Sequence, residues 1–471
     1  MRTADVVVVG AGPAGMHSAL AAARTARDVV LIDSGPAVGG QYYRHPADGS
    51  SLHIGAPIDR RHDTLVRLRA ELEASTAVTV LPSTTVWHAA AADVGAVLHL
   101  APVGGGQTSS LQARAVVLAP GAYDLALPIP GWTLPGVMTA GGAQAMLKGH
   151  GALLGRNVVV AGTGPFLVSV AAALAGAGAT VAGVFEANRP TRWARHLPAV
   201  AVSPDKLLEG ARLARLLRRH RVPVHFGHVV TQVLGTDAVE AVVVERSDHR
   251  GSNRSSSARE IAVDAVCLGW GFLPQVELAV ALGCDTHLDR SGLAVVVRVD
   301  GDQRTSRPGV FAAGEITGIG GADLSAVEGR IAGLAAAASL QGTPPVVRRV
   351  TRAERARRRH FAAALSDAYP LPRDWTSWLH SDTVVCRCEE VPRASIDESI
   401  HRLGASDVAS VKSLCRTGMG YCQGRMCDFA VRTIVTAATG RPASHRDALV
   451  YRPIAVPISI AALAAGDAEE T

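Results

Sequence analysis

Aromatic residues are scarce in this chain of 471 residues, at 4%, and the apolar content is mostly Ala, Val and Leu alongside 48 Gly. Small side chains in that proportion suit parallel sheets covered by closely packed helices. Strong charge is also lacking. A formal net charge of +6 is modest for the length, and no basic face alternates with aromatics, which argues against nucleic acid as a partner. No charged segment leads into an apolar one ahead of the first strand, Val6 to Val9. No export signal is therefore expected, and the expected location is cytoplasmic, with membrane association only through partners. The uncharged run Leu167 to Phe185 contains Gly176, Gly178 and Gly183. It reads as a buried helix followed by a strand, so no membrane span is expected.

Hydrolytic machinery is missing too. There is no Ser/His/Asp arrangement, no metal-hydrolase motif and no evident pair of acid–base carboxylates. His17, His45, His53 and His62 are scattered and read as structural or exposed. The seven cysteines of a long, unexported chain point to metal or redox use rather than a disulfide framework.

What the chain does have is a repeated pattern of strand, glycine turn, helix and strand, at residues 1–35 and again at 156–187. Two such starts imply an α/β fold with two doubly wound, Rossmann-like domains. The expected division is a first domain from 1–150 and 285–345, a second from 151–284, a linker at 346–380, a cysteine module at 381–440 and a tail at 441–471. The arginine-rich stretch Arg348 to His360 reads as a solvated linker helix, the alternative being a docking surface for an acidic partner or phosphate. The polar run Arg250 to Arg259 reads as a solvated hairpin loop.

In the first repeat Gly10 makes the tight turn, Gly12 lets the backbone approach a pyrophosphate, and Gly15 lets helix and strand pack closely. Asp33 closes the next strand about 20 residues on, suited to bonding ribose hydroxyls. Later segments resemble the thioredoxin reductase-like flavoproteins, which makes the expected ligand FAD. They are Gly39-Gly40-Gln41, the strand-to-glycine crossing through Ala119 and Gly121, and the stretch Thr305 to Glu315 ending in Gly314-Glu315. The resemblance implies that Glu315 bonds the ribityl chain and that Leu324 and Ser325, just beyond, also contact FAD. Pro120 stands where that family usually has Thr, and Glu315 where it usually has Asp.

The second repeat carries Gly162 and Gly164, with Glu186 closing the next strand. Leu167 occupies the third glycine position, which holds helix and strand apart. Three readings stand: an NAD site, a site for another adenine nucleotide, or a structural relic. No redox Cys-x-x-Cys occurs in this domain, which excludes thioredoxin reductase activity.

Cys386 and Cys388 form a C-x-C pair, Cys422 and Cys427 a C-x4-C pair. Four thiolates suit a [2Fe–2S] cluster or a tetrahedral zinc. The segment Lys412 to Cys427 resembles the bacterioferritin-associated ferredoxin-like [2Fe–2S] module, in a small, mostly helical domain. Gly418, Gly420 and Gly424 would turn amides toward the cluster, and Lys412, Arg416 and Arg425 would offset its charge. Cys415 is spare, either an alternative ligand or a bystander, and Cys267 and Cys284 read as core.

Over nearly its whole length the chain resembles the α (or B) subunit family of opine oxidases, hydrogen cyanide synthase and dye-linked proline or hydroxyproline dehydrogenases. The matches are Gly121 to Asp124, Pro130 to Gln144, Ala313 to Asp323 and Gly418 to Arg425; Asp124 replaces the family's usual Glu. The resemblance implies a partner subunit like D-amino acid oxidase that oxidises the amine, and often a small ferredoxin-like subunit. The expected role is an FAD- and [2Fe–2S]-dependent electron-transfer subunit, the alternative a stand-alone NADH-dependent reductase.

Overall fold

The computed structural model describes residues 1–45, 59–247, 258–292, 294–442, 444–448, 451 and 454–466. His53 and most of the polar run at 250–259 lie outside these residues. The first layer is a seven-stranded sheet. Its centre is Arg2–Val9, flanked in parallel by Val29–Ile32 and by Ser109–Leu118. Val78–Leu81 extends one side, and the antiparallel strands Ala96–Pro102 and Thr84–Ala91 extend the other. Val310–Ala312 pairs with the last residues of Ser109–Leu118, with Val310 opposite Val116. The central runs Val6–Val9, Val29–Ile32 and Ala115–Leu118 are apolar and buried throughout. Strands covered on both faces require that pattern.

One face is covered by the helices Pro13–Ala22 and Ala322–Ser339. They touch through backbone: a Cβ on Gly329 would lie 2.1 Å from the Ala14 carbonyl oxygen, and one on Gly333 would lie 2.1 Å from that of Ser18. The expected abundance of small residues is used here.

The second layer is a five-stranded parallel sheet in the order Val224–Phe226, Thr180–Glu186, Asn157–Gly162, Ala265–Gly269, Val137–Thr139. Val137–Thr139 and the following helix Ala140–His150 belong to it, with Ala140, Ala143 and Leu147 in its core. The boundary expected at residue 150 therefore lies too late. A two-stranded ribbon, Ala122–Asp124 with Phe272–Pro274, connects the two layers.

The stretch 346–380 is not a solvated linker. Arg349–Ala368 forms a helix lying across both layers. Arg352 pairs with Asp302 at 2.5 Å, and Arg355 and Arg359 pair with the fully buried Glu328 at 3.2 and 2.7 Å. Arg358 reaches Asp323 of the first layer at 3.4 Å and Asp205 of the second at 3.5 Å. Arg355, Arg358 and Arg359 are mostly buried and paired within the chain, which takes them out of the alternative docking surface, while Arg352 stays exposed.

Beyond the helix, Trp375 and Trp378 are buried and join the core of the cysteine module to that of the second layer. Trp378 packs against Trp270, and Trp375 stacks on Phe429. Trp132 donates its Nε1 hydrogen to the Val384 carbonyl at 2.7 Å. Four of the six tryptophans thus lie where the cysteine module meets the second layer. The tail returns through Ala455, whose amide donates to the Trp87 carbonyl at 2.9 Å. Ala448, Ala455 and Ala462 are buried while Ile454 and Ile460 are exposed, so small residues make the apolar contact.

Candidate functional site

At the first glycine turn Gly10 has φ +98°, and a Cβ there would lie 2.2 Å from the Ala119 carbonyl oxygen. Gly15 packs still closer, with a would-be Cβ 1.6 Å from the Gly10 oxygen. Gly12 faces open space and caps Pro13–Ala22, whose first amides have no side-chain partner. Gly40 lies against Gly12, where a Cβ would approach Gly12 Cα to 2.8 Å. Gly121, with φ +87°, also faces open space. The result is a glycine-lined cradle at a helix N-terminus, which fits a dinucleotide pyrophosphate.

Asp33 is partly exposed; it accepts from the Ala11 amide at 2.6 Å and the Gly35 amide at 2.7 Å. Burial raises its carboxyl against those bonds. Gln41 is exposed and accepts from Arg44 at 2.9 Å.

Across the cradle, Gly314 lies at the end of the second expected FAD segment with φ +81° and packs on Ala14 and Ser325. Leu324 and Ser325 are buried in the first turn of Ala322–Ser339. The Glu315 carboxylate accepts from the Gly320 and Gly321 amides at 2.9 and 2.8 Å, which shapes the turn and leaves lone pairs over, as at Asp33. Glu328 escaped the sequence reading. Its carboxylate accepts from the Gly314 amide at 3.2 Å and from Thr317 at 3.1 Å, between Arg355 and Arg359. The available signal was an acid in the interior of an alanine-rich helix.

The second turn differs in what covers it. Gly162 lies close to Gly269, and Leu167 is buried over the same glycine, whose missing side chain makes room for it. Gly164 is open. Glu186 is 4% exposed, and its oxygens accept from the Gly164 amide at 2.7 Å and the Asn188 amide at 2.9 Å. Burial raises its carboxyl. The segment leaving the arginine-rich helix lies over this acid. Thr163 donates to the Tyr369 carbonyl at 3.3 Å, and Asn188 Nδ2 to the Pro370 carbonyl at 3.1 Å. Trp193 donates to the Tyr369 hydroxyl at 3.2 Å. A ribose seeking Glu186 would meet the chain itself.

The four cysteines come together as two facing pairs, Cys386 with Cys427 and Cys388 with Cys422. Cys386 ends a short strand, Val384–Cys386, and Cys427 caps the helix Asp428–Thr439. The Cys427 thiol bonding to Cys386 holds it down at about 6 against its burial, with help from the Gly418 amide 3.4 Å away. Burial and the facing Cys422 push Cys388 up to about 11. Gly420 is needed for the fold, since a Cβ there would lie 2.4 Å from Cys388 Cβ. Among the described residues no group of three or more His, Cys, Asp or Glu converges as one metal ion would require. Two thiol pairs fit a two-iron cluster better than a tetrahedral zinc.

The basic residues expected to face the cluster have other partners: Arg416 bonds Glu389 at 2.9 Å, and Arg425 bonds Glu277 at 3.0 Å. Cys415 donates to the Val411 carbonyl one turn back on its helix, and Cys267 is a buried core thiol pushed up to about 12. Among the described residues no helix is long and apolar enough to cross a membrane.

Comparison with known proteins bears on the family and the cofactors. The pyridine nucleotide-disulphide oxidoreductase family matches residues 4–342. The chain belongs to that family. A BFD-like [2Fe-2S] binding domain matches residues 384–437. FAD and a [2Fe–2S] cluster are thus the cofactors of this oxidoreductase. An opine oxidase subunit from Agrobacterium tumefaciens (strain Ach5) is 34% identical, over 98% of this chain and 91% of its own length. Hydrogen cyanide synthase subunit HcnB of Pseudomonas aeruginosa is 31% identical over 92% and 93%. Each is by name one subunit of a larger enzyme. The crystal structure of L-proline dehydrogenase from P. horikoshii superposes with a TM-score of 0.71 at 20% identity, covering 98% of this chain and 79% of that one, which shows a shared fold.

Proposed function

We propose that this flavoprotein is the electron-transfer subunit of a hetero-oligomeric amine or amino-acid dehydrogenase or oxidase, of proline, hydroxyproline or opine type. A partner subunit resembling D-amino acid oxidase oxidises the amine. The observation that carries the reading is the burial of Glu186 under Tyr369 and Pro370 in a chain that also holds two thiol pairs. With the second nucleotide site covered, electrons reach the flavin from another protein and leave through the cysteines.

FAD, when bound, supplies the two-electron to one-electron conversion, and the cluster carries single electrons. Gly10, Gly12, Gly15, Gly40 and Gly121 would cradle its pyrophosphate, and Asp33 would orient the adenosine ribose through its remaining lone pairs. The Gly314–Glu315 turn, held by Glu328, would line the other side with Leu324 and Ser325. Cys386, Cys388, Cys422 and Cys427 would hold the cluster.

The test uses the isolated chain and the native complex side by side. The complex should oxidise proline, hydroxyproline or an opine with a dye as acceptor, and the isolated chain should not. NADH mixed anaerobically with the isolated chain should leave the flavin band unbleached. Turnover of an amine by the isolated chain, or rapid bleaching by NADH, would overturn the assignment.

A further inference from the structure

Arg425 lies inside the cysteine loop, between Cys422 and Cys427, yet its guanidinium bonds to carbonyls and a carboxylate. Its Nη1 donates to the Cys422 carbonyl at 3.2 Å, and its Nη2 to the Ala455 carbonyl. Its Nε meets a Glu277 oxygen at 3.0 Å. That same oxygen accepts the Tyr123 hydroxyl, and the guanidinium carbon sits 5.8 Å from the Tyr123 ring centroid. Tyr123 is two residues past Gly121 on the connecting ribbon. Glu277 follows the other ribbon strand, where the Gln275 amide donates to the Gly121 carbonyl at 3.0 Å. The side chains of Arg425 and Glu277 are only 21% and 12% exposed, so the pair is screened little by solvent.

We infer that Arg425 is a positioning residue that fixes the cluster loop against the flavin crossing, through Glu277 and Tyr123, and so sets the rate of electron passage between the two cofactors. The inference rests on the proposed electron-transfer role. Three directions of the planar guanidinium are used at once, which the point charge of lysine does not reproduce. The step served moves electrons only. Reduced FAD gives up its two electrons one at a time, each reducing the cluster by one. An external one-electron acceptor reoxidises the cluster in between, and the flavin protons go to solvent.

The experiment uses the full chain with both cofactors. The flavin is photoreduced anaerobically and the reduction of the cluster is followed by its visible absorbance and EPR signal. FAD content, iron content and the cluster midpoint potential are measured alongside. Arg425→Gln and Glu277→Gln should each keep FAD and slow cluster reduction roughly tenfold or more, as a small misplacement at a reacting pair does. The potential should shift in Arg425→Gln. The double variant should be no slower than the worse single one, because both changes break one contact. Should Arg425→Gln lose iron, Glu277→Gln decides alone, since Glu277 touches no cysteine. Wild-type rates in Glu277→Gln, or effects that simply add in the double variant, overturn the inference while leaving the electron-transfer role intact. Wild-type protein whose reduced flavin never reduces the cluster overturns that role, and the inference with it.

Discussion

Glu328 is the residue whose replacement tests the architecture most directly. Its side chain is 0% exposed, and it stands between Arg355 and Arg359, which are 22% and 28% exposed. It also accepts the Gly314 amide and the Thr317 hydroxyl. Removing one partner of a buried ion pair costs about 3–5 kcal/mol, because the remaining charge is left without a partner. Here both arginines retain some access to water, so Glu328→Ala should cost about 3 kcal/mol, at the low end. Glu328→Gln keeps an acceptor for Gly314 and Thr317 and loses only the charge-assisted bonds, which places it near 2 kcal/mol. Urea unfolding followed by flavin fluorescence is the assay, since Gly314 is proposed to line the flavin site and FAD release should move with the same transition. Arg349→Ala, at the exposed start of the same helix, is the control and should stay within about 0.5 kcal/mol. A Glu328→Gln protein within about 0.5 kcal/mol of wild type, releasing FAD at the same urea concentration, would return the arginine-rich helix to the status of a solvated linker.

Three further outcomes are expected. Burial, aided by Arg330 and Arg67, lowers His17 from 6.5 to about 4, so the folded chain keeps it neutral where the unfolded chain protonates. Its contribution is complete above pH 6.5 and fades as pH falls toward 4, a loss of about 3 kcal/mol that His17→Gln should flatten in a stability-against-pH series. Gly10→Ala places a Cβ 2.2 Å from the Ala119 oxygen at φ +98°, and should yield protein lacking stoichiometric FAD by absorbance ratio; full FAD occupancy would contradict the cradle. Cys386→Ser should abolish the [2Fe–2S] EPR signal and Cys415→Ser should keep it, whereas loss of signal in Cys415→Ser would make the spare cysteine a ligand.

The glycine turns, the acids that close the following strands and the apolar strands of the first sheet were legible because they are local patterns with fixed spacing. Leu167 was legible for the same reason, and its burial over Gly269 is the packing its size requires. The boundary at residue 150 was not. Val137–Thr139 is a three-residue strand whose place is fixed by pairing with Ala265–Gly269, far along the chain. The arginine-rich helix misled for a related reason. Charge runs usually mark solvated faces, and its partners Asp205, Asp302, Asp323 and Glu328 are distant in sequence and carry no shared pattern. Arg425 was read toward the nearest cysteines, and only the fold brings Glu277 and Tyr123 beside it.

The two nucleotide folds show that an acid at the end of the second strand does not by itself decide occupancy. Asp33 and Glu186 each accept from an amide of their glycine turn, Ala11 in the first and Gly164 in the second. Asp33 remains partly exposed, whereas Glu186 lies beneath Tyr369 and Pro370. Opening the second site would break the bonds from Thr163, Asn188 and Trp193 to that segment. At about 1 kcal/mol each the cost is about 3 kcal/mol, before any repacking of the Tyr369 ring. Any nucleotide then binds roughly 100-fold more weakly than in an open fold, so micromolar affinity becomes about 0.1 mM. The covering segment cannot simply swing away, because the helix before it is tied to the first layer through Arg355 and Arg359 and to the second through Arg357 and Arg358. Holding the two layers together and closing the second site are therefore one device, and weakening the first, as in Glu328→Ala, should measurably tighten nucleotide binding at the second.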